Sequence, residues 1–307
     1  MNVETVETML LDRRRTELSQ PLKLALLKAN SQEAAELVAE GDYLGALPLA
    51  QEAVRQGQLI FKPGPVLQLF PLYMLAAQAN LGLKRVRQCE DFLGLAGWLL
   101  LKEPETAVLG MRSQLARLFG QLHAVQNHLP EALRSFAEDA YYCAMEHGPE
   151  DLTTSVCYFN IGKVFLAQGE RVNALACNRK VMAIWLCNLC YIVLDELPAA
   201  PRLEEPSKAM PLSAGRLREG VEMLDQIGQQ LLLVMGPTHL GLGDADLAIG
   251  LTLHLAGCGA ARNPRTSAYM HHAHVARGRM AHAARVMYSY AGILCFRKGH
   301  TYMPPLR

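Results

Sequence analysis

A small side chain returns along this sequence at Ala46, Cys89, Ala132 and Ala174, at intervals of 43, 43 and 42 residues. Two antiparallel helices approach closely only where small residues meet at their crossing, with large apolar residues around them. A steady interval of such positions therefore predicts a chain of stacked α-hairpins rather than a single globular core.

Four stretches carry the pattern in order. The first, Ser31 to Val54, has Ala34 on its first helix, Gly41-Asp42-Tyr43 at the turn, and Ala46, Ala50 and Ala53 on its second. The next, Leu72 to Leu101, has Leu75, Ala76 and Ala77, then Cys89, Leu93 and Ala96 at the same four-three spacing. A third, Arg112 to Ala144, has Leu115, Ala116 and Phe119, then Ala132, Phe136 and Ala140; the fourth has Ile161, Gly162 and Phe165, Gln168-Gly169, then Ala174, Asn178 and Val181. Ala34, Ala77, Ala116 and Gly162 are read as the small contact of each first helix. The composition is that of a tetratricopeptide repeat, but the interval exceeds the usual 34 residues by about two helical turns. In the third unit, part of the excess is assigned to a long turn from Gly120 to His128. Gly41, Gly82 and Gly169 fall where a left-handed residue is expected to end a first helix, and Pro130 fits just inside the start of a second one.

The predicted class is an all-α, tetratricopeptide-like helical-repeat solenoid. Residues 1–29 are an N-terminal helical extension, 30–194 the four hairpins, and 195–212 a loop punctuated by Pro198, Pro201, Pro206 and Pro211. Residues 213–307 resume helical spacing, with Leu217, Val221, Leu224, Ile227 and Leu231 on one stripe, and close with basic capping helices.

Half of the residues are apolar and the formal net charge is +1, which excludes a disordered chain and gives no footing for nucleic-acid binding. The charge is uneven. No Asp or Glu follows Asp246, whereas Arg277, Arg279, Arg285, Arg297 and Lys298 are among the bases that remain. That basic end is expected to meet an acidic surface. The start has acids ahead of a basic cluster and no apolar core, so a secretory leader is not expected. Leu247 to Ala261, with His254 inside it, is short of the roughly 20 residues that span a bilayer and reads as a buried helix. The eight cysteines lie mostly among apolar residues and are expected as buried thiols in a reducing compartment.

Motifs that carry chemistry are weak. Cys187-Asn-Leu-Cys190 is one pair where a structural zinc site needs two, and it sits in an apolar helix. His271, His272 and His274, with His282, do not share a helical face at ligand spacing. Gly241-Leu-Gly243 and Gly257-Cys-Gly259 follow no strand. No catalytic residue, cofactor or metal site is expected, and the chain reads as non-enzymatic. The candidate surface is the inner groove lined by first-helix positions: Ala35, Gln78, Arg117 and Lys163, with Ser31, Met74, Ser113 and Phe159 one turn earlier. Of these, Met74, Gln78, Arg117, Phe159 and Lys163 are the expected partner contacts.

Phe70-Pro-Leu-Tyr-Met-Leu-Ala-Ala-Gln-Ala-Asn-Leu-Gly-Leu83 with Cys89-Glu-Asp-Phe-Leu93 resembles the second helical repeat of the zinc finger MYND domain-containing protein 12 family. So does Phe136 through Ile184-Trp185, above all Gly148-Pro-Glu-Asp-Leu-Thr-Thr-Ser155 and Tyr158-Phe-Asn-Ile-Gly162. The similarity covers about residues 30–190. It implies an axonemal tetratricopeptide protein of the cilium or flagellum, associated with the inner dynein arm called d. The implied partners are a dynein heavy chain or its tail, a second tetratricopeptide protein, actin- or centrin-type inner-arm subunits, and tubulin, with no membrane and no nucleic acid. Animal relatives carry a MYND zinc finger, but here no Cys precedes residue 89 and no His precedes residue 123, so what rests on the finger does not carry over. The alternative is a cytosolic cargo or assembly adaptor, because a 42-residue helical period also resembles kinesin light chains.

Overall fold

The computed structural model describes residues 3–61, 66–195, 213–236 and 240–255. Every regular element among them is helical: α1 (Val3–Glu40), α2 (Tyr43–Ile60), a 3-10 turn at Leu67–Leu69, α3 (Phe70–Gly82), α4 (Val86–Lys102), α5 (Leu109–Val125), α6 (Leu129–His147), α7 (Leu152–Ala167), α8 (Arg171–Asp195), α9 (Ala214–Met235) and α10 (Leu240–Leu255). The chain divides into two units, Met1–Pro149 and Glu150–Arg307. The division falls inside the span read from sequence as one repeat domain, at the Gly148-Pro149 break. Likewise, α1 runs unbroken through residue 29, where the sequence reading starts a new segment. None of these helices is long and apolar enough to cross a membrane.

One turn builds four hairpins. In each, a residue with positive φ ends the first helix: Gly41 (85°), Lys84 (57°), Asn127 (61°) and Gly169 (81°). Its N–H donates to the carbonyl three residues back, and the next N–H reaches five residues back. Thus Gly41 bonds Val38 at 3.1 Å and Asp42 bonds Leu37 at 2.9 Å; Lys84 bonds Leu81 and Arg85 bonds Asn80, both at 2.9 Å. The Asn127–His128 and Gly169–Glu170 pairs repeat this arrangement. The orphan carbonyls of the first helix are satisfied in this way. The following residue then opens the second helix, its carbonyl accepting from Ala46, Cys89, Ala132 or Ala174. The interval of the small residues is therefore the interval of the turns.

Two sequence expectations change here. Gly82 is not the left-handed residue of its turn; that position is Lys84, and Gly82 ends α3 pressed against the Tyr43 ring, 2.4 Å from where a Cβ would stand. The stretch from Gly120 is not a long turn either, because α5 continues to Val125 and only Gln126–His128 connect it to α6. The long period comes from long helices, 17 residues in α5 and 19 in α6.

The first unit packs α1–α2, α3–α4 and α5–α6 as antiparallel hairpins, with α2 against α3 and α4 against α5. Phe70, Tyr73, Leu93, Leu99 and Leu122 fill its core. In the second unit, α7–α8 and α9–α10 pair, and α10 also lies against α8. Trp185, Leu189, Leu224, Ile227, Leu231 and Ile249 make that core. The stripe expected on α9 is buried at Leu217, Leu224, Ile227 and Leu231, with Val221 packed at its edge. Gly220 admits α9 onto α8, since a Cβ there would stand 2.1 Å from the Trp185 ring. Arg216 donates to Thr153 Oγ1 at 3.1 Å, and Asn178 donates to Gln230 Oε1 at 2.9 Å.

Candidate protein-interaction surface

Ala46, Cys89, Ala132 and Ala174 are at most 2% exposed. Burial, with a lesser contribution from Glu90, pushes the Cys89 thiol up to about 11, so it is a packing group rather than a nucleophile. On the first helices, Ala34, Ala77, Ala116 and Gly162 are buried as well. Counting back seven residues from each left-handed turn residue, however, gives Ala34, Ala77, Gly120 and Gly162. Gly120, not Ala116, holds the equivalent place, and a Cβ there would fall 2.7 Å from the buried Phe136 ring. Ala116 lies one turn earlier, so in the third hairpin the sequence reading is out of step by four residues.

The same step changes which positions are equivalent. Counted from the left-handed residue, Ala35, Gln78 and Gln121 match in the first unit and Lys163 in the second, and Arg117 belongs one turn back with Ser31, Met74 and Phe159. Met74 and Phe159 are only 7% exposed, each packed into the core of its own unit, so neither offers a partner a free side chain. Gln78 is exposed. Lys163 keeps an exposed surface, with Nζ 4.8 Å from the Phe159 ring centroid. Neighbouring protein displaces water from its ammonium and lowers its pKa.

Arg117 points into a polar cluster. Its Nε donates to Asp139 Oδ2 at 2.9 Å and its Nη2 to Oδ1 at 3.3 Å. Ser113 Oγ donates to Asp139 Oδ1 at 2.6 Å and lies 3.1 Å from Cys143 Sγ. Asp139 is fully buried. The positions matching Asp139 in the other hairpins are Ala53, Ala96 and Val181, so one hairpin alone replaces apolar packing with an ion pair. The 113–143 pairing itself recurs in the fourth hairpin, where Trp185 Nε1 donates to Ser155 Oγ at 3.0 Å. Ser113, Asp139 and Cys143 are buried, with Arg117 at the edge, and the cluster ties α5 to α6.

The other sequence candidates separate cleanly. Cys187 is half-buried on α8, and Gly241 and Gly243 lie within helix α10. The side chain of Cys190, Gly257 and Gly259, the histidines 271, 272, 274 and 282, and Arg277, Arg279, Arg285, Arg297 and Lys298 lie outside the described residues. The sequence reading missed a second surface. On the outward faces of α4 and α6, Trp98 and Tyr141 occupy matching positions and are exposed. Their signal was present as large apolar groups on the helix side opposite Cys89-Leu93-Ala96 and Ala132-Phe136.

No known family model matches this chain. Among solved structures, it is similar to BtubC (BKLC) from P. vanneervenii, with 17% sequence identity, a TM-score of 0.51, and 82% of this chain and 89% of that one covered. A second similar structure holds the nearly identical TPR-like repeats of a Podosopora anserina protein described as a kinesin light chain. There the identity is 11%, the TM-score 0.38, and the coverage 83% and 96%. The first likeness together with the repeated turns establishes the class: an all-α, tetratricopeptide-like helical-repeat fold.

Proposed function

We propose that this protein is a non-catalytic adaptor, and that its setting is the ciliary axoneme, where it docks the inner dynein arm d motor to the axoneme or to a second tetratricopeptide protein. The observation that carries the adaptor reading is the single turn geometry repeated at residues 41, 84, 127 and 169. Hairpins built that way offer extended surface, and their mode of action is shape complementarity with other chains. The axonemal setting rests on the resemblance of residues 70–93 and 136–185 to the MYND 12 family. Gln78 and Gln121, at one register position of two hairpins of the first unit, supply hydrogen-bond donors for a partner segment, and the basic sequence beyond Asp246 suits an acidic one.

Affinity purification of the tagged full chain from detergent-extracted cilia, followed by crosslinking mass spectrometry, tests this. Dynein heavy-chain peptides crosslinked to the chain are the expected result. Recovery with cytosolic kinesin or chaperone partners and no dynein would replace the axonemal setting by the cytosolic cargo adaptor and leave the adaptor class standing.

A further inference from the structure

Antiparallel hairpins have two edges, one made by the turns and one by the opposite helix ends. In the first unit, six of the exposed large apolar side chains lie at the second edge. Leu59, Trp98, Leu101, Tyr141 and Met145 lie toward the C-terminal ends of α2, α4 and α6, and Val108 precedes α5. The start of α5 meets the end of α6 there, since a Cβ on Gly110 would stand 3.1 Å from Glu146 Oε2. Exposure is substantial: 48% for Trp98, 77% for Leu101, and 61% each for Tyr141 and Met145. Tryptophan, tyrosine and methionine are the residue types enriched where proteins meet and costly to leave in water.

We propose that this edge is the docking face for a second copy of the chain. Two features single out that occupant. The exposed area of these six side chains is on the order of the ~800 Å² that each partner gives to a standard interface. The charges around them are mixed and near balance, with Lys102 and Arg112 beside Glu103, Glu105 and Glu146. A strongly charged partner finds little complement in such a rim, whereas a second copy carries both signs and can bring its own bases to the acids of the first. Lys102 already holds the Trp98 ring in place, with Nζ 5.5 Å from its centroid. This inference is independent of the axonemal setting and of what the inward row binds.

Sedimentation equilibrium on the full chain from about 1 to 100 μM decides it, because interfaces of standard size bind in the micromolar range or tighter. The expected result is a monomer–dimer equilibrium that Trp98→Asp and Met145→Asp each weaken at least about tenfold. Leu44→Asp, equally open at 71% but at the turn edge, leaves it unchanged. Circular dichroism establishes that each variant is folded; if Trp98→Asp loses helicity, Met145→Asp, at a freely exposed site, carries the test. A wild-type chain that stays monomeric to 100 μM overturns the proposal, whether or not that face binds some other protein. A dimer indifferent to both substitutions overturns it equally.

Discussion

At the residue scale, the turns separate backbone cost from packing. Lys84 holds φ at 57° where two of its counterparts are glycine, a conformation costing a side-chain-bearing residue about 1–2 kcal/mol. Lys84→Gly is expected to stabilise the protein by up to about 1 kcal/mol after glycine's own entropic penalty, read as a higher denaturation midpoint. Asn127→Gly should gain less, because asparagine tolerates that region. Gly120→Ala should destabilise by about 1–3 kcal/mol by driving a methyl group into the Phe136 ring. Gly162→Ala should cost less, since its Cβ would stand 3.2 Å from Asn178 and Cys177. If Gly120→Ala melts with the parent, the assignment of Gly120 to the helix crossing is wrong. Cys89 gives a pH test. Its folded pKa lies above its ordinary value of 9.0, at about 11, so its contribution is intact below pH 9 and is lost as pH rises through 11. The slope approaches about 1.4 kcal/mol per pH unit. Chemical denaturation at pH 7 and pH 10 should show a larger loss in the parent than in Cys89→Ala, in which Cys177, also raised by burial, still contributes.

At the scale of the element, the third hairpin stands apart. Its apolar periodicity resembles that of its neighbours, yet Ser113, Arg117, Asp139 and Cys143 replace core positions filled elsewhere by Phe70, Met74, Ala96 and Leu100. A buried carboxylate stripped of its cation is costly, whereas an apolar replacement of the whole pair is often neutral. Arg117→Met alone should therefore lose about 3–5 kcal/mol, and Arg117→Met with Asp139→Leu should recover most of it. Urea unfolding of the two variants measures both values; a single variant as stable as the parent would show that Asp139 does not depend on Arg117. The spacing of the hairpins was readable because closely crossing helices demand small residues. The four-residue slip from Gly120 to Ala116 arose because an alanine one turn away satisfies the same consensus. Only the place of the left-handed residue tells the two apart.

For the whole molecule, charge is the readable quantity. The chain is near neutral as a whole, but its last fifth bears only positive charge. If that end docks on tubulin, cosedimentation of the full chain with microtubules should fall steeply as salt rises from about 0.05 to 0.3 M, over which the Debye length drops below ~10 Å. Binding that ignores salt would remove the acidic-surface expectation and leave the hairpin surfaces as the contact.

What the sequence determined by itself was local and periodic. Helical spacing, the 43-residue step and the small residues at 46, 89, 132 and 174 are each fixed by contacts within one hairpin, where neighbours in space are neighbours in the chain. The tertiary structure alone decided which side of each helix is used up. Met74 and Phe159 look like groove residues until the adjoining helices cover them. Trp98 and Tyr141, apolar groups opposite the small-residue side of their helices, are left exposed because no other element among the described residues covers that side. An apolar side chain carries the same hydrophobic signature whether it faces its own fold or another protein, and only the packing of distant elements distinguishes the two.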